Sequence, residues 1–133
     1  MKDLFQKKPL SILIVEDEPD FQEVVQLLLE PFSQNLKFTL SASAEEAALH
    51  IIKNRYDLIL SDYILTGTST GLYFWELCQK KCPKTPFIMI SGFPVQKFIN
   101  NAHGLKNIPC FISKPFQTDE FLEMVRSSLK AAS

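Results

Sequence analysis

Short apolar runs alternate with amphipathic segments along the whole chain. In the segments between the runs, apolar residues recur at the three- and four-residue spacing of a helix that packs against a core. This alternation of strand and helix predicts parallel strands joined by right-handed connections, which is a doubly wound α/β sheet. The apolar runs with the length of strands cover residues 10–15, 36–41, 57–61, 87–90 and 108–112.

Local signals mark the helices of this predicted sheet. Pro19 suits the first turn of a helix, because the N–H that proline lacks has no helical partner there. Ser43 and Glu46 have the spacing of a capping box at the start of the next helix. We predict five helices on the two faces of the sheet. They begin near residues 19, 44, 72, 95 and 118, and the last ends near residue 130.

The polarity of the runs predicts their order in the sheet. The first, third and fourth runs are apolar on both faces, as the central strands of a parallel sheet are. The second run alternates apolar with polar residues, and the fifth contains Pro109, so both suit the edges. Order 2-1-3-4-5 meets these requirements. It places a switch point, where open α/β sheets bind ligands, between the first and third strands.

Polar residues stand at the carboxyl ends of four of the runs. These ends lie along one edge of a parallel sheet, so we expect their side chains to converge there. Several carboxylates brought together repel one another unless a cation compensates their charge. We therefore predict a site for a divalent cation and a phosphoryl group. Its candidate residues are Glu16, Asp17, Asp62, Ser91 and Lys114.

The composition agrees with one globular domain and indicates no nucleic-acid or membrane partner. The 133 residues are 46% hydrophobic and 22% charged, and the net charge is −1. A charge so near zero provides no electrostatic footprint for nucleic acid or an anionic membrane. We expect a tail at 1–9, a domain at 10–131 and a short tail at 132–133.

The cysteines and the absence of targeting signals predict a cytoplasmic protein. The chain has neither a membrane-spanning apolar stretch nor a signal-peptide core. Its three cysteines cannot form a fully paired disulfide framework. Cys78 and Cys82 lie one helical turn apart, but no second pair accompanies them as in a metal site. Reduced thiols are therefore the expected state.

The candidate site residues stand in motifs that resemble those of the receiver domains of two-component response regulators. These domains are typified by the bacterial chemotaxis receiver with its flavodoxin-like fold. The resemblance covers residues 10–131. It rests on the motifs Ile-Val-Glu-Asp-Glu-Pro, Leu-Ile-Leu-Ser-Asp, Ile-Ser-Gly and Lys-Pro-Phe, in this order. It implies that Asp62 accepts a phosphoryl group from a sensor histidine kinase or a histidine phosphotransfer protein. The chain would catalyse only its own phosphorylation and slow dephosphorylation.

The cofactor expected for such a reaction is Mg²⁺, with Mn²⁺ as an alternative. Mg²⁺ prefers hard oxygen ligands in octahedral geometry and keeps several of its waters. Asp17 and Asp62 are the expected direct ligands, and Glu16 is expected to act through a water molecule. The resemblance adds the backbone carbonyl of Ile64 as a further ligand.

The resemblance also implies how phosphorylation changes the surface. Ser91 and Lys114 would contact the phosphoryl oxygens, and the Lys114–Pro115 bond would be cis. Ser91 and Phe111 would act as the switch that remodels the face of the fourth helix, fifth strand and fifth helix. That face would bind a downstream protein, and a dimer is expected to use it as well.

Three features of the sequence affect the predicted lifetime, geometry and switching of the site. Ile64 and Phe93 are apolar where an attacking water would approach, so the phosphorylated form should be long-lived. The segment 66–70 is polar and lacks the Met-Pro pair that the family has near this point, and Gly71 comes about one residue late. Phe111 also lacks the hydroxyl of the tyrosine common in the family.

Two other functions remain open at this stage. A pseudo-receiver that only binds a partner would have lost the acceptor or the lysine, but Asp62 and Lys114 are both present. A Mg²⁺-dependent phosphohydrolase would need a further general acid or a cap that selects substrates, and the sequence contains neither.

Overall fold

The computed structural model describes residues 9–30, 35–63, 65, 70–92 and 109–132. The predicted fourth helix near 95–101 and most of the N-terminal tail lie outside these residues. Among the described residues, no helix is long and apolar enough to cross a membrane. The domain limits of 10 and 131 stay predictions.

Five parallel strands form one sheet, and the order is β2-β1-β3-β4-β5. The predicted fold class and strand order are therefore confirmed. The strands are β1 Leu10–Val15, β2 Leu36–Ser41, β3 Leu58–Asp62, β4 Phe87–Ser91 and β5 Cys110–Ser113. The described helices are α1 Pro19–Leu29, α2 Ala44–Lys53, α3 Gly71–Lys81 and the C-terminal helix Thr118–Ala132.

A separate apolar cluster covers each face of the sheet. Ile14 faces the cluster that contains Val25 of α1 and Phe121 of the C-terminal helix, whereas the neighbouring Val15 faces the cluster that contains Phe74 of α3. Successive strand residues point to opposite faces, so β1 must present apolar residues on both faces to fill both clusters. Burying a phenylalanine such as Phe74 or Phe121 contributes about 1.5–3 kcal/mol. The described residues of β3 are likewise all buried.

The register of the central strands brings two acidic residues together. Val15 at the end of β1 pairs with Ser61 of β3, so Glu16 and Asp62, which follow them, leave the sheet side by side. On the other side of β3, Asp62 pairs with Ile90 of β4. The carboxyl edge of the sheet thus places both carboxylates at the switch point between β1 and β3.

Candidate functional site

Three carboxylates meet at this edge. Glu16, Asp17 and Asp62 each offer one oxygen, and these oxygens all lie within 4.8 Å of one another. Glu16 and Asp62 are buried, with 2% and 8% of their surfaces exposed, whereas Asp17 is exposed. A buried pair with one exposed acid beside it leaves the cluster open to solvent on one side. Oxygen ligands of this kind suit a hard divalent cation such as Mg²⁺.

Lys114 supplies the positive charge of the cluster. Its Nζ donates to Glu16 Oε1 at 3.2 Å and to Asp62 Oδ2 at 3.4 Å. The residue follows β5 directly, and the Lys114–Pro115 peptide bond is cis. Among the described residues, the structure therefore brings together four of the five side chains predicted to form the site, namely Glu16, Asp17, Asp62 and Lys114.

An aromatic ring against Lys114 was missed by the sequence analysis. Lys114 Nζ lies 4.0 Å from the centroid of the Phe21 ring, a cation–π contact that favours the charged ammonium. Phe21 also packs edge-on against Phe116, with centroids 6.2 Å apart, and Phe116 stacks on Phe121 at 5.1 Å. The only sequence signal was the position of Phe21 in the first turn of the helix that follows the acidic pair.

Backbone and amide groups hold Glu16 in place. Its carboxylate accepts a hydrogen bond from the Glu18 N–H at 3.2 Å, and its N–H donates to the Ser41 carbonyl at 2.8 Å. The Gln22 side chain donates to the Glu16 carbonyl at 2.6 Å, a contact that the sequence analysis also missed. These bonds tie the acidic pair to β2 and to the first turn of α1.

The electrostatics of the cluster favour neutralisation of Glu16. Burial and the neighbouring Asp62 carboxylate raise the pKa of Glu16 to about 7, although Lys114 and the Glu18 N–H oppose the shift. Burial by itself would lower the pKa of Lys114, but Asp62 and Glu16 outweigh it and raise that pKa above its usual value. The lysine therefore stays charged, while Glu16 carries a costly negative charge at neutral pH.

This shift predicts a pH-dependent stability without metal. Because folding raises the pKa of Glu16 from 4.5 to about 7, the folded state holds the extra proton between these values. The stability that this proton contributes is fully present below pH 4.5 and is lost as the pH rises through about 7. We compare the free energy of unfolding of Glu16→Gln with that of the wild-type chain in EDTA. The difference between them should favour the variant by about 2 kcal/mol more at pH 8 than at pH 5.5. Thermal unfolding at both pH values measures this difference.

A control for this prediction is Glu76→Gln, because Glu76 is exposed on α3. Its stability relative to the wild-type chain should be the same at both pH values. If Glu16→Gln behaved like the control, the raised pKa of Glu16 would be wrong.

Gly71 allows α3 to start against the end of β3. The Gly71 N–H donates to the Tyr63 carbonyl at 2.8 Å. A Cβ atom at residue 71 would overlap the Asp62 carbonyl oxygen and would lie 2.9 Å from Tyr63 Cα. Glycine is thus required by the close approach of the two backbones, one of which carries Asp62.

The remaining predicted residues are only partly described. Ser91 ends β4, where its backbone pairs with Ser113, and its side chain is outside the description. Ile64 and Phe93 lie outside the described residues, so their roles in metal binding and water access stay predictions. Phe111 is half-buried against the cluster that contains Met89, and its role in switching also stays a prediction.

Comparisons with known proteins agree with this geometry. Residues 12–126 match the model of the response regulator receiver domain family. The transcriptional regulatory protein DltR of Streptococcus agalactiae is 27% identical over 125 residues, which are 93% of this chain and 54% of that protein. The chain thus spans about half of the length of this relative.

Solved structures with the same fold include two receiver domains. The signal receiver domain of an HD domain-containing protein from Pseudomonas fluorescens superposes with a TM-score of 0.81 and 24% identity, covering 94% of this chain and 98% of that one. The receiver domain of a sensor histidine kinase from Pseudomonas aeruginosa, solved with magnesium in its active site cleft, has a TM-score of 0.78 and 23% identity. That match covers 92% of this chain and 99% of the other. Since the family model matches most of its length, the chain belongs to the response regulator receiver domain family and is a signalling module of two-component systems.

Proposed function

We propose that this chain accepts a phosphoryl group on Asp62 in a Mg²⁺-dependent reaction. The observation that carries the proposal is the placement of Asp62 at the carboxyl end of β3, within 4.8 Å of two further carboxylates and 3.4 Å from the Lys114 ammonium. A nucleophilic carboxylate, a set of oxygen ligands and a positive charge are the groups that phosphoryl transfer needs.

Asp62 acts as the nucleophile in this proposal. One of its oxygens forms a bond to phosphorus while the bond from phosphorus to the donor breaks, and the donor leaves with that electron pair. The donor is a phosphohistidine of a sensor kinase or of a phosphotransfer protein, and its imidazole regains a proton from solvent. Lys114, now held by Glu16 and Asp62, can pair with a phosphoryl oxygen without moving far.

The acidic cluster fits Mg²⁺. Its ligand atoms are all carboxylate oxygens, and burial together with the Asp62 charge raises the pKa of Glu16 although Lys114 opposes the shift. Asp17 and Asp62 would bind the ion directly and Glu16 through water. When bound, Mg²⁺ neutralises charge on the transferring phosphoryl group. The similar receiver domain from Pseudomonas aeruginosa was solved with a magnesium ion coordinated in its active site cleft.

The output is proposed to pass through protein contact. Phosphorylation would move Ser91 and Phe111 and so change the face around β5 and the C-terminal helix, which binds a downstream protein or a second copy of the chain. The expected absence of a nucleic-acid partner finds no support in the comparisons, because relatives such as DltR are named transcriptional regulatory proteins.

The reaction can be tested directly with acetyl phosphate as donor. With Mg²⁺ present, intact-mass analysis should show one added phosphoryl group, and EDTA should abolish it. Borohydride reduction followed by peptide mapping should place the group on Asp62. A chain that stays unmodified in Mg²⁺ but still binds a partner would be a pseudo-receiver, and the proposal would fail.

Lys114→Ala should separate metal binding from signalling. Its ammonium lies 3.2 and 3.4 Å from the carboxylate oxygens of Glu16 and Asp62, so it competes with a cation for both. Mg²⁺ affinity, measured by calorimetry, should therefore hold or rise in this variant. Amide shifts of the C-terminal helix on phosphorylation should be lost.

The controls for this variant are Lys80→Ala and Asp17→Ala. Lys80 is exposed on α3, and its replacement should change neither measurement. Asp17→Ala should lose Mg²⁺ affinity. If Lys114→Ala lost as much affinity as Asp17→Ala, the proposed division of roles between carboxylates and ammonium would be incorrect.

A further inference from the structure

A second group of reactive side chains lies at the edge of the sheet opposite to the acidic site. An open pocket of about 790 Å³ is bounded there by the end of α2, the start of β3 and the turn between α3 and β4. Cys82 lines this pocket and is partly exposed. Among the described residues, none proposed for phosphoryl transfer lines it, so the chemistry of this pocket is separate from the proposed function.

Among the described residues of the lining, positive side chains outnumber negative ones. Such surroundings attract anionic reagents. The carboxylate in the lining belongs to Asp57 and already accepts a hydrogen bond of 2.8 Å from the Ser11 N–H. The cationic side chains in the lining are Lys53, Arg55, Lys81 and Lys84.

Cys78 is a second thiol within reach of Cys82. It is buried one helical turn earlier on α3, and the Cys82 N–H donates to the Cys78 carbonyl at 2.7 Å. A hydrogen bond from the Cys78 thiol lowers the pKa of Cys82 to about 7; partial burial opposes this shift, and a hydrogen bond from Thr85 supports it. The same thiol contact and burial raise the pKa of Cys78. Cys82 is also the more exposed of the two thiols, so it is the one that a reagent in the pocket reaches first, and the buried Cys78 is the second thiol.

We propose that Cys82 is a peroxide-reactive thiol and that Cys78 converts its oxidised form into an intrachain disulfide. The Cys82 sulfur attacks a hydroperoxide, so an S–O bond forms, the O–O bond breaks, and the leaving oxygen takes a proton. The Cys78 sulfur then attacks the Cys82 sulfenic acid, so an S–S bond forms and the oxygen leaves as water with the Cys78 proton. One hydroperoxide is reduced by two electrons for each disulfide.

The end of α3 can accommodate this bond. Residues one turn apart on a regular helix have Cβ atoms about 5–6 Å apart, whereas a disulfide needs about 3.5–4.5 Å. Cys82 is the C-cap of α3 and has left the helical conformation, with φ −144° and ψ 63°, so no further helical turn holds it in place. Oxidation should therefore rearrange the turn in which the Thr85 N–H donates to the Cys82 carbonyl at 3.1 Å.

The exposed Cys110 is an internal control for reactivity. The lowered pKa of Cys82 increases its thiolate fraction at pH 7, though the lower basicity of such a thiolate offsets part of this advantage. With limiting iodoacetamide at pH 7, peptide mapping of the whole reduced chain should show Cys82 alkylated about fivefold faster than Cys110. Faster alkylation of Cys110 would overturn the proposal.

The product of oxidation provides the second test. One equivalent of hydrogen peroxide should produce a Cys78–Cys82 linked peptide that has lost two hydrogen atoms. Cys78→Ala should instead accumulate a sulfenic acid on Cys82 that dimedone traps, and Cys110→Ser should behave as the wild-type chain. If the main product of the wild-type chain linked two chains through Cys110, the proposal would be wrong whether or not Cys78→Ala folds.

Discussion

Asp62→Asn is expected to abolish phosphorylation of the chain by acetyl phosphate. The asparagine amide is a poor nucleophile and cannot form the acyl phosphate. The variant also removes one of the three carboxylates of the proposed metal cluster. Intact-mass analysis in Mg²⁺ should show no phosphoryl adduct at times when the wild-type chain is fully modified.

The loss should not be a consequence of unfolding. The Asp62 carboxylate helps to raise the pKa of Glu16, so its neutralisation relieves repulsion between two buried acids. In EDTA at pH 8, the thermal midpoint of Asp62→Asn should therefore hold or rise. Asp119→Asn, at the exposed start of the C-terminal helix, is the matched control and should be phosphorylated normally. Uptake by Asp62→Asn at the wild-type rate would show that another residue is the acceptor.

Gly71→Ala is expected to lower the stability of the chain more than a substitution at an exposed residue would. The added Cβ would overlap the Asp62 carbonyl oxygen, and the atom in the way is backbone that cannot rotate aside. The start of α3 must then move away from β3, which breaks the Gly71–Tyr63 hydrogen bond. Overpacking of this kind costs about 1–3 kcal/mol, which should lower the Tm by roughly 5–10 °C.

Gly92→Ala is the matched control for this substitution. A Cβ at Gly92 would meet no atom of the described residues within 4 Å, so the Tm should change little. In Gly71→Ala, the displaced end of β3 should also slow phosphorylation of Asp62. The affinity for Mg²⁺, measured without a phosphodonor, should weaken less. Equal stability of the two alanine variants would show that α3 can shift without cost.

The strand order could be read from polarity because of how a doubly wound sheet is covered. Helices lie on both faces, so a central strand such as β3 must be apolar on both sides, whereas an edge strand such as β2 need not be. The residues of β3 are all buried, whereas five of the six residues of β2 are partly buried or exposed. The limits of the described helices were predicted to within one or two residues. The third helix begins at Gly71 rather than near residue 72, and the C-terminal helix ends at Ala132 rather than near residue 130.

The convergence of the acidic residues with Lys114 was also predictable from sequence. Parallel strands all present their carboxyl ends at one edge, so residues that follow different strands meet there whatever their separation along the chain. Lys114 and Glu16 are 98 residues apart and still lie 3.2 Å from each other. The geometry of the fold class was sufficient to bring such residues together.

Only the tertiary structure decided how each of these residues is surrounded. The adjacent Glu16 and Asp17 have the same chemistry in the sequence, yet Glu16 is buried with a raised pKa and Asp17 is exposed. The contact of Phe21 with Lys114 and the close approach of Gly71 to Asp62 likewise depend on how the helices pack on the sheet. Periodicity and motif spacing record which face and which end of an element a residue occupies. Burial, charge compensation and backbone approach arise only when separate elements pack together, and the sequence determines them through that packing alone.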